Sequence, residues 1–154
     1  MKEYWYEVKD GDPRAVALYR RHYSCRGTNH GQKIDYVRFG ISGQGESMIL
    51  LTQDCQALFG WKYEAYRDDG QAGINCFVFR RESGELSSVL IKEANELAWA
   101  KWGKQRLFTF IDSKKTKHKR DPGRCFIKAG YKKCGYSKKG LVILECLPVL
   151  VDSK

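Results

Sequence analysis

Three stretches of the sequence hold residue types that can do chemistry. The first is Arg80-Arg81-Glu82-Ser83-Gly84-Glu85-Leu86-Ser87-Ser88, between an apolar strand-like run and an amphipathic helix-like one. A strand that feeds a helix through small residues leaves unpaired N–H groups at the helix start. Those donors and the helix dipole form an anion site suited to a pyrophosphate. Arg80 and Arg81 would add charge, and Ser87 and Ser88 hydroxyls; the same serines read equally well as plain helix caps. The second stretch runs from Ser113 to Lys139, where eleven Lys or Arg accompany one acid, Asp121. A solvated basic face is the ordinary meaning of such a run. Nearly uncompensated charge of one sign, however, repels itself without a polyanion, and phosphate neutralisation by Lys and Arg drives sequence-independent nucleic-acid binding. The candidates are Lys114, Lys115, Lys117, Lys119, Arg120, Arg124, Lys132 and Lys133, with Arg26 upstream. An anionic cofactor is the other partner such charge could serve. The third stretch, His22-x-x-Cys25-x4-His30, has a metal-like look, but no second ligand pair has zinc-finger spacing, so incidental donors in a loop are the plainer reading.

The elements that must position these groups fit one domain, residues 1–154. Of 154 residues, 42% are hydrophobic and 13% aromatic, which argues against disorder for most of the chain. No run approaches the eighteen or more apolar residues a membrane span needs. The N-terminal Met-Lys-Glu-Tyr-Trp-Tyr lacks the apolar core of a secretory signal, so a cytoplasmic protein is expected, with its six dispersed cysteines reduced. A strand over Glu3–Lys9 precedes a helix opened by Asp12-Pro13 and running to about Tyr23. Arg26–Gln32 is expected as loop, Val37–Ser42 and Ser47–Thr52 as strands joined through Gly43-Gln-Gly, and Ala57–Tyr66 and Ile74–Arg80 as further strands. Then the period changes. Val89, Leu90, Ala94, Leu97, Ala98 and Trp102 form the stripe of a helix over Leu86–Trp102, ended by Gly103. A buried strand at Leu107–Ile111, a short helix over Gly123–Lys133 and a last strand at Leu141–Leu147 complete the order. Strand, long helix, strand is a βαβ unit, so Ile74–Arg80 and Leu107–Ile111 should run parallel.

This order resembles that of the GNAT acyltransferases over most of the chain, which implies an α/β (α+β) fold with a mixed, mostly antiparallel sheet, a central βαβ unit and flanking helices. By that resemblance the loop after strand 74–80 binds the pyrophosphate of acetyl-coenzyme A, through Phe79, Arg80, Arg81, Ser83, Gly84, Ser87 and Ser88. Cys125-Phe-Ile-Lys-Ala-Gly-Tyr resembles the family's later helix, which often reads Tyr-x-x-x-Gly-Phe. Two departures stand out. The loop lacks the usual Arg/Gln-x-x-Gly-x-Gly/Ala, and Phe126 stands where many members carry a tyrosine that protonates the leaving thiolate, which phenylalanine cannot do.

A narrower resemblance is to the Mom family of phage DNA-modification proteins, which alter the amino group of adenine in DNA. It is carried by Arg21-His-Tyr-Ser-Cys-Arg, the paired serines, Thr109-Phe-Ile-Asp112 and Asp121-Pro-Gly-Arg-Cys-Phe-Ile-Lys-Ala-Gly-Tyr. It implies a phage- or prophage-encoded protein in a bacterial host cell, an acyl-coenzyme A donor, double-stranded DNA with a flipped-out base as substrate, and a possible dependence on iron. The adenine amino group is a poor nucleophile, because its lone pair is delocalised into the ring. His22 or Asp112 could take its proton and Tyr23 could stack on the extruded base. Each has a simpler reading as well: His22 and Tyr23 as the end of a helix, Asp112 as a cap. Ligands of open α/β sheets nonetheless bind beyond the carboxyl ends of strands, where Asp112 falls. For iron, His22, His30, Cys25 and Asp112 are the donors to inspect, although they form no assignable 2-His-1-carboxylate pattern. Acetylation of a small amine, a protein or RNA, and nucleic-acid binding without catalysis, are the competing functions.

Overall fold

The computed structural model describes residues 3–22, 25–43, 45–114 and 123–149. In order these form β1 (Trp5–Val8), α1 (Pro13–Arg20), β2 (Thr28–Asn29), β3 (Gln32–Lys33), α2 (Tyr36–Phe39), β4 (Glu46–Thr52), β5 (Ala57–Tyr63), β6 (Ile74–Arg81), α3 (Ser87–Trp102), β7 (Leu107–Ile111), α4 (Arg124–Lys128), β8 (Lys132–Tyr136) and β9 (Val142–Cys146). Seven strands make one sheet in the order β1-β4-β5-β6-β7-β9-β8, with β2 and β3 as a separate hairpin. Every described neighbour pair is antiparallel except β6–β7, which is parallel, as the βαβ pattern requires.

Both faces of the sheet are covered. On one, Trp5, Phe59 and Trp61 pack with Leu90, Ile91 and Ala94 of α3 and with Phe126 and Tyr131 from the α4 segment. Fully burying side chains of this size contributes about 1.5–3 kcal/mol each. Two indoles also tie α3 to the sheet: Trp5 Nε1 donates to the Leu90 carbonyl at 2.7 Å and Trp61 Nε1 to the Ala94 carbonyl at 2.9 Å. On the other face, Val16 and Leu18 of α1 pack on Ile49, Leu51, Leu58 and Val78. α1 begins as expected, with Asp12 Oδ1 accepting from Arg14 N at 2.9 Å and Pro13 in the first turn. It ends at Arg20, short of Tyr23.

Three sequence expectations are corrected. Val37–Ser42 is not a strand: Asp35 accepts from Arg38 N and caps the one-turn α2, which Gly40 closes at φ 80°. Arg26–Gln32 is not plain loop: it holds the β2–β3 hairpin, whose turn residues His30 and Gly31 both have positive φ (51° and 78°), the signature of a tight hairpin turn. The helix expected over Gly123–Lys133 stops at Lys128, and Lys132–Tyr136 becomes the edge strand β8. Among the described residues no helix is long and apolar enough to cross a membrane.

Candidate active site: a cleft where two parallel strands part

β6 and β7 lie side by side over three pairs only: Ile74–Leu107, Asn75–Phe108 and Cys76–Thr109. At the closed end Ile74 N donates to the Arg106 carbonyl at 2.8 Å. Gly73 beside it has φ +121°, and a Cβ there would stand 2.2 Å from the Arg106 oxygen, so glycine is needed for this approach. Past Cys76 and Thr109 each strand keeps its outer partner, β6 pairing with β5 as far as Arg81 and β7 with β9 as far as Ile111. Between them the sheet opens into a cleft of about 450 Å3. Its wall comes from Asn75–Arg81 of β6 and its end, from Thr109 to Asp112 at the end of β7, and from Gly123, Cys125 and Phe126. His22 after α1 and Ser87 at the start of α3 complete the mouth. The cleft thus lies at the carboxyl ends of two parallel strands, where chain direction leaves loops free to supply side chains.

A bulge shapes the β6 wall. Trp61 pairs with Cys76 and Gly60 with Val78, so β6 carries an extra residue at Phe77. Phe77 and Val78 both turn toward the α1 side, while Cys76 and Phe79 face the α3 side. Gly60 makes room, since a Cβ there would lie 2.6 Å from the Phe77 ring.

Ion pairs fix the mouth. Glu82 accepts from Arg21 Nε at 2.6 Å and from Arg80 Nε at 2.8 Å, and Arg80 also donates to the Arg21 carbonyl at 2.7 Å. This ring locks the end of α1, and with it His22, to the end of β6. The Arg21 guanidinium, then that of Arg80, pulls the Glu82 carboxyl down to about 2. Arg81 donates to the carbonyls of Gly84 and Glu85, at 2.9 and 2.7 Å, and Ser83 Oγ to Gln56 Oε1 at 3.0 Å, so the loop is braced from within. Glu85 accepts from Leu86 N at 2.9 Å and from the Tyr4 hydroxyl at 2.9 Å. α3 itself starts at Leu86 without a side-chain cap.

The proton-bearing groups of the cleft are few. Phe126 is buried edge-on against Phe79 and Tyr131. The Tyr131 hydroxyl is buried, donates to Asn95 Oδ1 at 2.7 Å, and is pushed well up by that burial. Burial likewise raises the Cys76 thiol. His22, Asp112 and Cys125 are half-buried in the lining, and Asp112 Oδ1 also accepts from Lys114 N at 3.0 Å.

Of the residues singled out from the sequence, His22, Asp112, Phe79, Arg80, Arg81 and Ser87 come together around the cleft. Ser83, Gly84 and Ser88 do not line it; they belong to the braced loop and the first turn of α3. Tyr23, Lys115, Lys117, Lys119, Arg120 and Asp121 lie outside the described residues. Lys114 and Arg124 are exposed, each within two residues in sequence of a residue that lines the cleft. Lys132 and Lys133 are exposed on β8, Lys133 lying 4.4 Å over the Tyr136 ring. Arg26 instead shapes the β2–β3 hairpin, donating to the Thr28 carbonyl and Asn29 Oδ1. The iron set does not assemble: no group of three or more His, Cys, Asp or Glu side chains among the described residues could hold a metal. Cys25 packs under α1 and His30 occupies the hairpin turn, away from the cleft lining. Sequence reading passed over Asn75 and Phe77, although an amide inside an otherwise apolar strand was the available signal for the first.

No protein-family model matches the chain, and no curated protein matches it by sequence. Its fold matches that of a spermidine N-acetyltransferase, a SpeG chimera from Vibrio cholerae and hSSAT, with a TM-score of 0.59, 8% identity, and 93% of this chain and 94% of that one covered. AAC(6')-Ib in complex with ribostamycin and coenzyme A aligns over 70% of this chain and 69% of its own, with 14% identity and a TM-score of 0.48, too low to add to the assignment. The mixed seven-stranded sheet, mostly antiparallel with flanking helices, is the GNAT fold.

Proposed function

We propose that the protein is an acyl-coenzyme A-dependent transferase whose acceptor is the exocyclic amino group of adenine in DNA. The observation that carries this reading is the cleft at the parting of β6 and β7, lined by His22 and Asp112, with the exposed Lys114 two residues after Asp112 and the exposed Arg124 between the lining residues Gly123 and Cys125. Acyl-coenzyme A, when bound, supplies a thioester-activated acyl group. The uncapped start of the 16-residue α3, with Ser87 in the lining, fits its anionic part. Arg80 and Arg81 are engaged within the protein, so backbone N–H groups and the Ser87 hydroxyl are the donors left for a phosphate.

The acceptor amine becomes nucleophilic only as it loses a proton. His22 and Asp112 are the lining groups that can hold that proton, and the Arg21–Glu82–Arg80 ring keeps His22 in position. Phe126 and Tyr131 cannot donate to a leaving thiolate from where they are buried. The exposed Lys and Arg of the C-terminal half would hold flanking phosphates without reading sequence. A base inside a duplex cannot reach a cleft of this kind, so it must be flipped out.

Nucleoside mass spectrometry of DNA from cells expressing the protein is expected to show a heavier deoxyadenosine, absent with His22→Ala or Asp112→Ala. Ordinary nucleosides alone, with folded protein present, would overturn the reading. The likeness to a spermidine N-acetyltransferase favours a second reading, acetylation of a small polyamine. The two arginines in the lining oppose a cationic acceptor, and turnover with spermidine in the absence of DNA would decide for it.

A further inference from the structure

We infer that the α1 side of the cleft recognises a flat heteroaromatic ring bearing an exocyclic amino group next to a ring nitrogen, and that Asn75 reads that edge. The inference rests on the cleft being the acceptor site. Asn75 lies on β6 in the last paired stretch, one residue before Cys76 where the strands part, is 7% exposed, and lines the cleft. Its Oδ1 is the buried side-chain polar atom without a hydrogen-bond partner among the described residues. Leaving such a group unpaired costs free energy that folding does not recover, and a ligand that supplies the missing partner relieves the cost.

A second observation points to the shape of that ligand. Strand alternation places Asn75 and Phe77 on the same face of β6, and Phe110 of β7 lines the same cleft, half-buried. Both rings are held from behind. Phe77 lies over Gly60, and Phe110 packs edge-on at 5.7 Å against the fully buried Phe108, which the guanidiniums of Arg106 and Arg67 cover at 4.8 and 5.3 Å. Two fixed phenyl rings give apolar surface for a flat ring, as aromatic side chains do for unstacked bases. Whichever way it is turned, the amide offers one donor and one acceptor in a plane. That pair is complementary to an amino hydrogen beside a ring nitrogen, the edge by which asparagine reads adenine. An amino group held there would sit at the base of the split, within the cleft that His22 and Asp112 also line.

The test uses the full chain and a single-stranded oligonucleotide with one adenine, compared with the same strand carrying deoxynebularine, a purine without the amino group. Wild type is expected to bind the adenine strand about tenfold more tightly. Asn75→Ala and Asn75→Val should bind both strands equally, with wild-type melting temperature and wild-type affinity for coenzyme A. No preference in the wild type, or a preference kept by the folded variants, overturns the inference. So does unfolding of both variants, which would make Asn75 structural. Loss of coenzyme A binding with the adenine preference intact would remove the transferase reading and leave this one. Coenzyme A binding without the preference would do the reverse.

Discussion

Asn95 and Asn75 are both buried amides, 4% and 7% exposed, the first on α3 and the second on β6. Asn95, on α3, accepts from the Tyr131 hydroxyl, whereas Oδ1 of Asn75, on β6, has no partner among the described residues. The difference extends to their surroundings. The α3–α4 side pairs these polar groups within itself: its indoles bond to α3 carbonyls, its tyrosine to Asn95, and Arg81 to loop carbonyls. The α1 side at the parting of the strands leaves a polar group and two half-buried rings turned to the cleft. One side is built to hold its shape and the other to be finished by something it binds.

The comparison can be broken most forcefully at Gly60. A Cβ there would lie 2.6 Å from the Phe77 ring and 2.8 Å from Val78 Cγ1, so Gly60→Ala should cost about 3 kcal/mol in denaturant unfolding. A neutral result would mean Phe77 is free to move and is no fixed wall. Next in size, Tyr131→Phe strands the Asn95 oxygen and should cost about 2 kcal/mol. Asn75→Val removes an amide whose oxygen has no partner and should change stability by less than about 1 kcal/mol; a loss as large as that of Tyr131→Phe would erase the contrast. The smallest effect concerns the ring around Glu82. A carboxyl held below its unfolded value adds stability that is present above that value, about 4.3, and is lost as pH falls through the folded one, about 2. The carboxyl resonance of Glu82 should therefore titrate near 2, and a midpoint at the ordinary value would show that Arg21 and Arg80 do not hold it.

Much of this fold is legible in the sequence because its periods are strong. The α3 stripe, closed by Gly103 and flanked by two apolar runs, suffices for a parallel pair. β8 was hidden because an edge strand exposes both faces, so Lys132-Lys-Cys-Gly-Tyr has no alternation to read. Val37 looked like strand because apolar residues follow one another there; the competing signal was Asp35 capping at Arg38 with Gly40 behind it. His22 and Asp112 stand out in the sequence through the resemblance to the Mom family, Asp112 also through its place at the end of a strand, and both line the cleft. The engagement of Arg80 and Arg81 could not be seen, since their partners Arg21, Gly84 and Glu85 are brought to them by the folded loop and the end of α1. The bulge at Phe77, which turns Val78 to the same side as Phe77, depends on Gly60 in a neighbouring strand.

The most direct test is transfer itself. Purified protein would be incubated with acetyl-coenzyme A labelled in the acetyl group and with DNA, and the DNA digested to nucleosides for mass analysis. Label is expected in a modified deoxyadenosine, dependent on both substrates and lost with His22→Ala. Label that never leaves coenzyme A, or that passes to spermidine and not to DNA, would contradict the account.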